Sequence, residues 1–293
     1  MCYSIIYRIF NMDQQPFNPL AKHFRQPAIY LKLPSQGNFW PEGSINLPLN
    51  NEIPILPMST RDEVVLKTPD ALLNGQGVVD VIQSCCPNIV DAWQTPSIDV
   101  DAIIIAIRIA SYGQNMDVTA TCPHCSAQSE YTVNLTQMLS TLDTPSYDTP
   151  LSTSDLSIKL KPQAYFSANK TNMIAFEEQQ IIRSLGEIEQ NPDQASVIFN
   201  LHLNKLVDLN IELLAGSTEY IKTAEGITVS QTDFIVDFYK NCDPKIVKQV
   251  RSKLDELIRQ AGLKPISVAC TECSEHFDLN ITFDFSSFFG KGS

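Results

Sequence analysis

The feature that most limits how this chain can fold is a pair of Cys-x-x-Cys motifs, Cys122–Cys125 and Cys270–Cys273, which lie far apart in its 293 residues. A short β-prone stretch precedes each motif, at residues 116–121 and 266–269, and a serine follows each. Alternating runs then begin at residues 131 and 277, and both read aromatic, polar, aliphatic, Asn, aliphatic, Thr. Two such strand–turn–strand knuckles offer the four thiolates that a tetrahedral Zn²⁺ site prefers. The matched flanks therefore predict one structural zinc bound by Cys122, Cys125, Cys270 and Cys273.

The first motif, Cys122-Pro123-His124-Cys125, also has the form of a thioredoxin-type redox motif. A redox cysteine of that kind opens a helix, whose N-terminus lowers the pKa of the thiol. Here Cys125 is followed by small polar residues and then by a strand pattern, and redox chemistry leaves the second pair unexplained. We therefore favour a closed structural site over a redox site or two coincidental thiol pairs. Whether His124 or His276 replaces one cysteine as a ligand stays open.

The charge and hydropathy of the chain bear on the partners that it can bind. Its formal net charge is −12, and no run of Lys or Arg occurs. Because nucleic-acid binding depends on clustered basic side chains, we predict no nucleic-acid partner. The longest apolar stretch, residues 102–110, is too short to span a bilayer and contains Arg108. We expect no membrane span and no signal peptide, and the remaining cysteines form no disulfide framework. Synthesis in a reducing cytoplasm is therefore predicted.

Residues 1–45 are predicted to form an extended N-terminal arm. Eight prolines among the first 60 residues oppose long helices and central strands. The segment nevertheless carries more aromatic residues than a solvated linker would, namely Phe17, Phe24, Tyr30, Phe39 and Trp40. We therefore expect the arm to lack regular secondary structure and to use these side chains to bind a neighbouring subunit. The alternative is that the arm packs only on its own body.

The remaining sequence predicts an α+β fold, with a helical body, a discontinuous four-cysteine zinc ribbon and the extended arm. The body spans residues 46–116, the halves of the ribbon span 117–140 and 266–289, and a helical insertion spans 150–265. Body helices are predicted from a cap at Thr68, over 77–86, and from a cap at Asp99 to Gly113. The insertion is predicted to hold a strand at 156–160, a hairpin at 218–229, and helices at 173–185, 195–214 and 243–262, with another starting near Ser230.

No catalytic constellation is evident in the sequence. A Gly-rich phosphate loop, a G-x-S-x-G elbow and an H-E-x-x-H motif are all missing. His202 lies among leucines and is expected to be a core or boundary residue. A zinc ion held by four cysteines keeps no open position for a substrate or water. We therefore predict a protein that is not an enzyme and that has no small-molecule substrate.

Between the arm and the first knuckle, several short motifs follow one another in a specific order and spacing. They are Leu33-Pro34-Ser35-Gln36-Gly37 with Phe39, Pro57-Met58, Asp62-Glu63, residues 68–75, Asp101, Ile104, Arg108, Tyr112-Gly113 and the first Cys-x-x-Cys. In these pieces, over about residues 30–140, the chain resembles the baseplate protein family of T-even-like bacteriophages, in the hub-assembly group of contractile tails.

That resemblance implies a non-enzymatic component of the virion tail baseplate, either a permanent subunit or an assembly factor, made in the cytoplasm of the host bacterium. Its partners would be other baseplate or tail proteins. Two alternatives from other classes stay open. One is a zinc-ribbon adaptor that acts on nucleic acid or transcription, and the other is a thiol oxidoreductase that uses Cys122 and Cys125.

Overall fold

The computed structural model describes residues 18–68, 75–153, 155–185, 192–279 and Phe288. Over these residues the chain contains eight α-helices and four small antiparallel sheets, which agrees with the predicted α+β class. The predicted helix after Thr68 falls on residues 69–74 and so lies outside the described residues. None of the described helices has both the length and the hydropathy needed to cross a lipid bilayer.

The elements alternate along the chain. The strands are β1 (Ile29–Lys32), β2 (Glu52–Ile55), β3 (Asn115–Thr121), β4 (Gln128–Asn134), β5 (Leu151–Ser152), β6 (Leu156–Leu160), β7 (Thr218–Thr223), β8 (Thr228–Val229), β9 (Ile266–Ala269) and β10 (His276–Leu279). The helices are α1 (Thr60–Leu66), α2 (Gln76–Cys85), α3 (Ser97–Tyr112), α4 (Leu135–Ser140), α5 (Tyr165–Leu185), α6 (Pro192–Gly216), α7 (Thr232–Asn241) and α8 (Pro244–Ala261).

Helix α3 forms the centre of the first hydrophobic core. Ile103, Ile104, Ile105 and Ile107 point to different sides of the helix and are all fully buried, as expected for a helix that is apolar all round. Helix α2 and the β1–β2 hairpin pack around it, and Met116, Val133 and Leu279 bring the ribbon strands onto the same core. The core is therefore shared by segments that are distant in sequence.

A second core lies mainly within the insertion, and it also includes Ile98 of α3 and Tyr147. The sheet β5-β6-β7-β8 supplies Ile158 and Ile221, helix α7 supplies Ile235, and α8 supplies Val250 and Leu257. The predicted strand at 156–160 and the predicted hairpin at 218–229 are both confirmed. Helix α8 is also confirmed, and the side chain of its N-cap Asp243 accepts a hydrogen bond from the backbone N–H of Lys245. The predicted domain boundaries stay predictions.

The arm is more ordered than predicted, and the expectation that it lacks regular secondary structure is wrong for β1. Residues 29–32 pair antiparallel with β2, with Leu31 opposite Ile53. Alternation turns Leu31 and Leu33 into the first core, which stabilises a strand that local pattern alone did not predict. Pro27 and Pro34 lie on either side of the strand and so do not interrupt it.

Arg25 holds the start of the described arm against the body. Its guanidinium donates hydrogen bonds to the backbone oxygen of Pro57 at 2.9 Å, the carboxylate of Asp62 at 3.1 Å and the backbone oxygen of Ser84 at 2.8 Å. Asp62 also accepts from the backbone N–H of Ser59 in the capping box of α1. The arm is thus bonded to α1 and α2 through one side chain.

Asp99 has a different role from the predicted helix cap. Helix α3 begins two residues earlier, at Ser97, and Asp99 is fully buried in its first turn. Its carboxylate accepts hydrogen bonds from the backbone N–H of Ser35 at 2.7 Å and from Nε1 of Trp40 at 2.8 Å. Asp99 therefore fastens the loop after β1 onto the body, and burial raises the pKa of its carboxyl to about 6.

This carboxyl predicts a pH dependence of stability. Because its pKa is raised from 3.8 to about 6 in the folded chain, the folded state holds this proton more tightly than the unfolded state. The stabilisation that this proton gives to the folded state is fully present below pH 4 and is lost as the pH rises through about 6. The loss lowers the free energy of unfolding by about 3 kcal/mol. In urea unfolding between pH 4 and 7, the unfolding free energy of wild type should fall relative to that of Asp99→Asn as the pH rises. A constant difference would contradict it.

Candidate metal centre

The two Cys-x-x-Cys motifs each lie at the turn of a β-hairpin. Strand β3 pairs with β4 from Asn115–Asn134 to Thr121–Gln128, and β9 pairs with β10 from Ile266–Leu279 to Ala269–His276. Both hairpins are two-stranded sheets without a third strand among the described residues. Two-stranded hairpins are marginally stable in water, so these two need further support.

The two turns have the same backbone structure. In the first, the N–H of Cys122 donates to the oxygen of Ala127, and the N–H of Ser126 donates to the oxygen of Cys122. In the second, Cys270 and Ser274 repeat both hydrogen bonds, with Glu275 as the first acceptor. The serines adopt left-handed φ values of 60° and 61°. The predicted equivalence of the knuckles therefore extends to individual hydrogen bonds.

The left-handed serines are a feature that sequence analysis missed, although a serine directly after both motifs is visible in the sequence. Left-handed backbone costs an L-residue roughly 1–2 kcal/mol, whereas glycine adopts it freely. We expect Ser126→Gly and Ser274→Gly each to raise the free energy of unfolding by roughly 0.5–1 kcal/mol after the entropy cost of glycine. Ser267→Gly within β9 is the matched control and should lower it. Denaturant unfolding measures all three, and equal effects at the turn and in the strand would contradict the assignment.

The four cysteine sulfur atoms meet between the hairpins. They all lie within 4.8 Å of one another, with 3.8 Å between the Sγ atoms of Cys122 and Cys273 and 3.6 Å between those of Cys125 and Cys270. Sulfurs bound to one tetrahedral Zn²⁺ at 2.3 Å would be about 3.8 Å apart, whereas a disulfide needs about 2.05 Å. The arrangement therefore fits four ligands of one metal ion better than two disulfides.

Electrostatics at the cluster also favours a cation. Backbone N–H groups of Cys273 and Glu272 stabilise the thiolate of Cys270 and lower its pKa to about 6. At Cys273 a backbone hydrogen bond from Glu275 lowers the pKa, but burial and the neighbouring thiols outweigh it and raise the value to about 12. Adjacent thiols resist losing their protons at the same time, because the resulting negative charges repel each other. A divalent metal would remove that repulsion.

Contacts between the hairpins accompany the cluster. The rings of Tyr131 and Phe277, which occupy equivalent places in the two alternating runs, pack edge to face with centroids 5.7 Å apart. The hydroxyl groups of Ser129 and Thr271 are hydrogen-bonded at 2.7 Å. The ribbon halves therefore contact each other through packed and polar side chains as well as through sulfur.

The two histidines near the motifs do not belong to the cluster in the described part of the chain. His124 and His276 are both exposed, and the group within ligand distance consists of the four cysteines. The backbone N–H of His124 lies 3.4 Å from the sulfur of Cys122, so this residue contributes its main chain. The adjacent Cys85 and Cys86, interpreted from sequence as small apolar residues, are both fully buried.

The aromatic residues predicted to bind a partner divide into groups. Phe17 lies outside the described residues. Phe24 and Tyr30 are 58% and 64% exposed. Phe39 packs edge to face against Tyr147, with ring centroids 5.3 Å apart, and half-buried Trp40 packs on the first core. Phe39 and Trp40 thus pack on the chain's own body, as the alternative expects. Phe24 and Tyr30 remain available at the surface.

Comparison with known proteins identifies the family of the chain. A family model described as "T4 bacteriophage base plate protein" matches residues 41–290. The match continues through the helical insertion, beyond residues 30–140, over which the motifs of the sequence resemble the family. No curated protein and no solved structure matches the chain.

Proposed function

Since the chain belongs to the T4 bacteriophage base plate protein family, we propose that it is a non-enzymatic structural or assembly component of the hub region of a contractile tail baseplate, stabilised by one structural Zn²⁺. The observation that supports a metal ion is that four cysteine sulfurs on two equivalent turns lie within 4.8 Å of one another. Its ligands would be Cys122, Cys125, Cys270 and Cys273. Thiolate ligands in this geometry suit zinc, with iron as the competing metal.

The proposed zinc has a structural role because its coordination would be complete. Four thiolates fill a tetrahedral site and leave no position for a water or substrate. The ligands come in two pairs from hairpins that are marginal on their own, so metal binding would contribute directly to the folding free energy. The ion would fix the relative positions of two chain segments that enclose the insertion.

Other baseplate or tail proteins are the proposed partners, and the arm is the proposed contact. Phe24 and Tyr30 have the best support, because the structure leaves both rings exposed on a segment that Arg25 and β1 attach to the body. Large aromatic side chains of this kind commonly anchor protein interfaces. Phe17, Phe39 and Trp40 remain part of the proposed surface.

Purified chain and purified phage particles together test this function. We expect about one zinc and no iron per chain by elemental analysis, and the chain in baseplates or in their assembly intermediates by mass spectrometry. Its presence in mature baseplates identifies a permanent subunit, and its presence in intermediates alone identifies an assembly factor. A chain missing from both would overturn the proposal.

The same material tests the two competing functions. An oxidoreductase would show fast alkylation of Cys122 with the metal bound, whereas a structural site predicts slow alkylation that a chelator accelerates. A nucleic-acid adaptor would bind DNA or RNA with strong salt dependence. We expect neither behaviour.

A further inference from the structure

Helices α5 and α6 form an antiparallel hairpin with much exposed apolar surface. On α6 alone, six apolar residues are exposed, Val197, Ile198, Phe199, Leu201, Leu203 and Val207. Nothing in the metal centre or the arm accounts for them. The six are spread around the helix, but three of them lie in one row, and contiguous apolar surface on a soluble protein marks an interaction site.

A buried polar contact shows which side of α6 faces α5. The Nδ1 atom of His202 is hydrogen-bonded to the carboxylate of Glu178, and both side chains are buried. Nζ of Lys205 donates to the same carboxylate at 3.3 Å. His202 is therefore a boundary residue between the two helices, as its leucine-rich surroundings predicted, and it defines the inner side of α6.

One row of apolar residues lies beside that inner side. Phe199, Leu203 and Val207 follow one another at intervals of four, which places them in one line along a helix. They are 42%, 42% and 50% exposed, and we call them the α6 stripe. The line continues into Ile211, which packs on the second core of the same chain. The stripe thus continues the row that packs on the second core, but at the stripe no other part of the same chain covers the row fully.

Charge distribution favours a second copy of this chain as the occupant. The three charged residues between Val197 and Gly216, which are Lys205, Asp208 and Glu212, all lie on the opposite flank of α6. The stripe is bordered instead by Asn200 and Asn204, whose amides both donate and accept hydrogen bonds and so can pair with their own counterparts. Because the chain carries a net charge of −12, two copies approach with least repulsion through an uncharged face.

We propose that the α6 stripe is a homodimer interface, in which two α6 helices pack antiparallel about a two-fold axis at Leu203. Leu203 would contact Leu203 of the partner subunit, and Phe199 would contact Val207 of the partner subunit, as a two-fold interface requires. The three side chains expose roughly 250 Å² per copy, which at the usual non-polar share implies roughly 900 Å² buried in all. That area corresponds to a weak, reversible dimer.

The test is analytical ultracentrifugation of the full zinc-loaded chain over about 1–200 µM, the range for a weak dimer. Wild type should shift from monomer to dimer, and Leu203→Lys and Leu203→Glu should each remain monomeric. An equimolar mixture of the two variants should recover a heterodimer, because opposite charges then meet at the two-fold axis. Ile258→Lys, at a 61% exposed position on α8, is the matched control and should dimerise like wild type.

Circular dichroism and zinc content show that each variant is folded. Wild type that stays monomeric throughout would overturn the proposal and leave the stripe to a different protein. Dimerisation of either Leu203 variant alone, or failure of the folded variants to associate when mixed, would also overturn it.

Discussion

Replacement of Cys270 with serine is expected to abolish metal binding and to lower the free energy of unfolding by at least about 4 kcal/mol. Three thiolates would remain, and the hydroxyl of serine does not replace a thiolate ligand at neutral pH. The β9–β10 hairpin would then lose its main attachment, since two-stranded hairpins have little stability of their own. Elemental analysis and urea unfolding of the purified variant measure both effects.

Cys242→Ser is the matched control for this prediction. Cys242 is half-buried beside α7 and lies outside the sulfur cluster, so its replacement should cost less than about 1 kcal/mol. Treatment of wild type with a strong chelator should reproduce the loss seen in Cys270→Ser. A Cys270→Ser protein that keeps both zinc and wild-type stability would show that the cluster is not a metal site.

The double variant Phe24→Glu with Tyr30→Glu is expected to fold normally and to fail to enter baseplates. Both rings are more than half exposed, so little packing is lost, whereas two buried carboxylates would strongly oppose an apolar contact with a partner. We expect the yield of complete particles in a complementation assay to fall by at least about tenfold. A loss of about 1.4 kcal/mol in binding free energy already weakens the affinity by that factor.

A similar variant at surface sites outside the arm provides the control. The double variant Leu49→Glu with Val90→Glu replaces one fully exposed residue and one that is about half exposed. It should assemble as wild type does. Deletion of residues 1–32 would be an unsuitable test of the arm, because it removes Leu31 and all of β1 from the first core. Normal assembly of the Phe24/Tyr30 variant would remove the partner role of these two residues.

Local patterns in the sequence predicted the features that depend on neighbouring residues. The knuckles, the α8 helix with its Asp243 cap, and the hairpin around Gly226 each follow from a short run of residues. Features that depend on distant contacts were not predictable in this way. Strand β1 exists because Leu31 and Ile53 meet over the core, and Asp99 serves the loop at Ser35 instead of its own helix. Neither contact leaves a local signal.

The distance along the chain between the two halves of the metal centre has a consequence for synthesis. Ribosomes add roughly 5–20 residues per second, so about 7–30 s separate the appearance of the first cysteine pair from that of the second. During that interval the insertion emerges, and it brings a hydrophobic core of its own. In the proposed site, metal capture can be completed only after Cys273 has left the ribosome. A prematurely terminated chain would therefore carry an open pair of thiols, which distinguishes it chemically from a finished one.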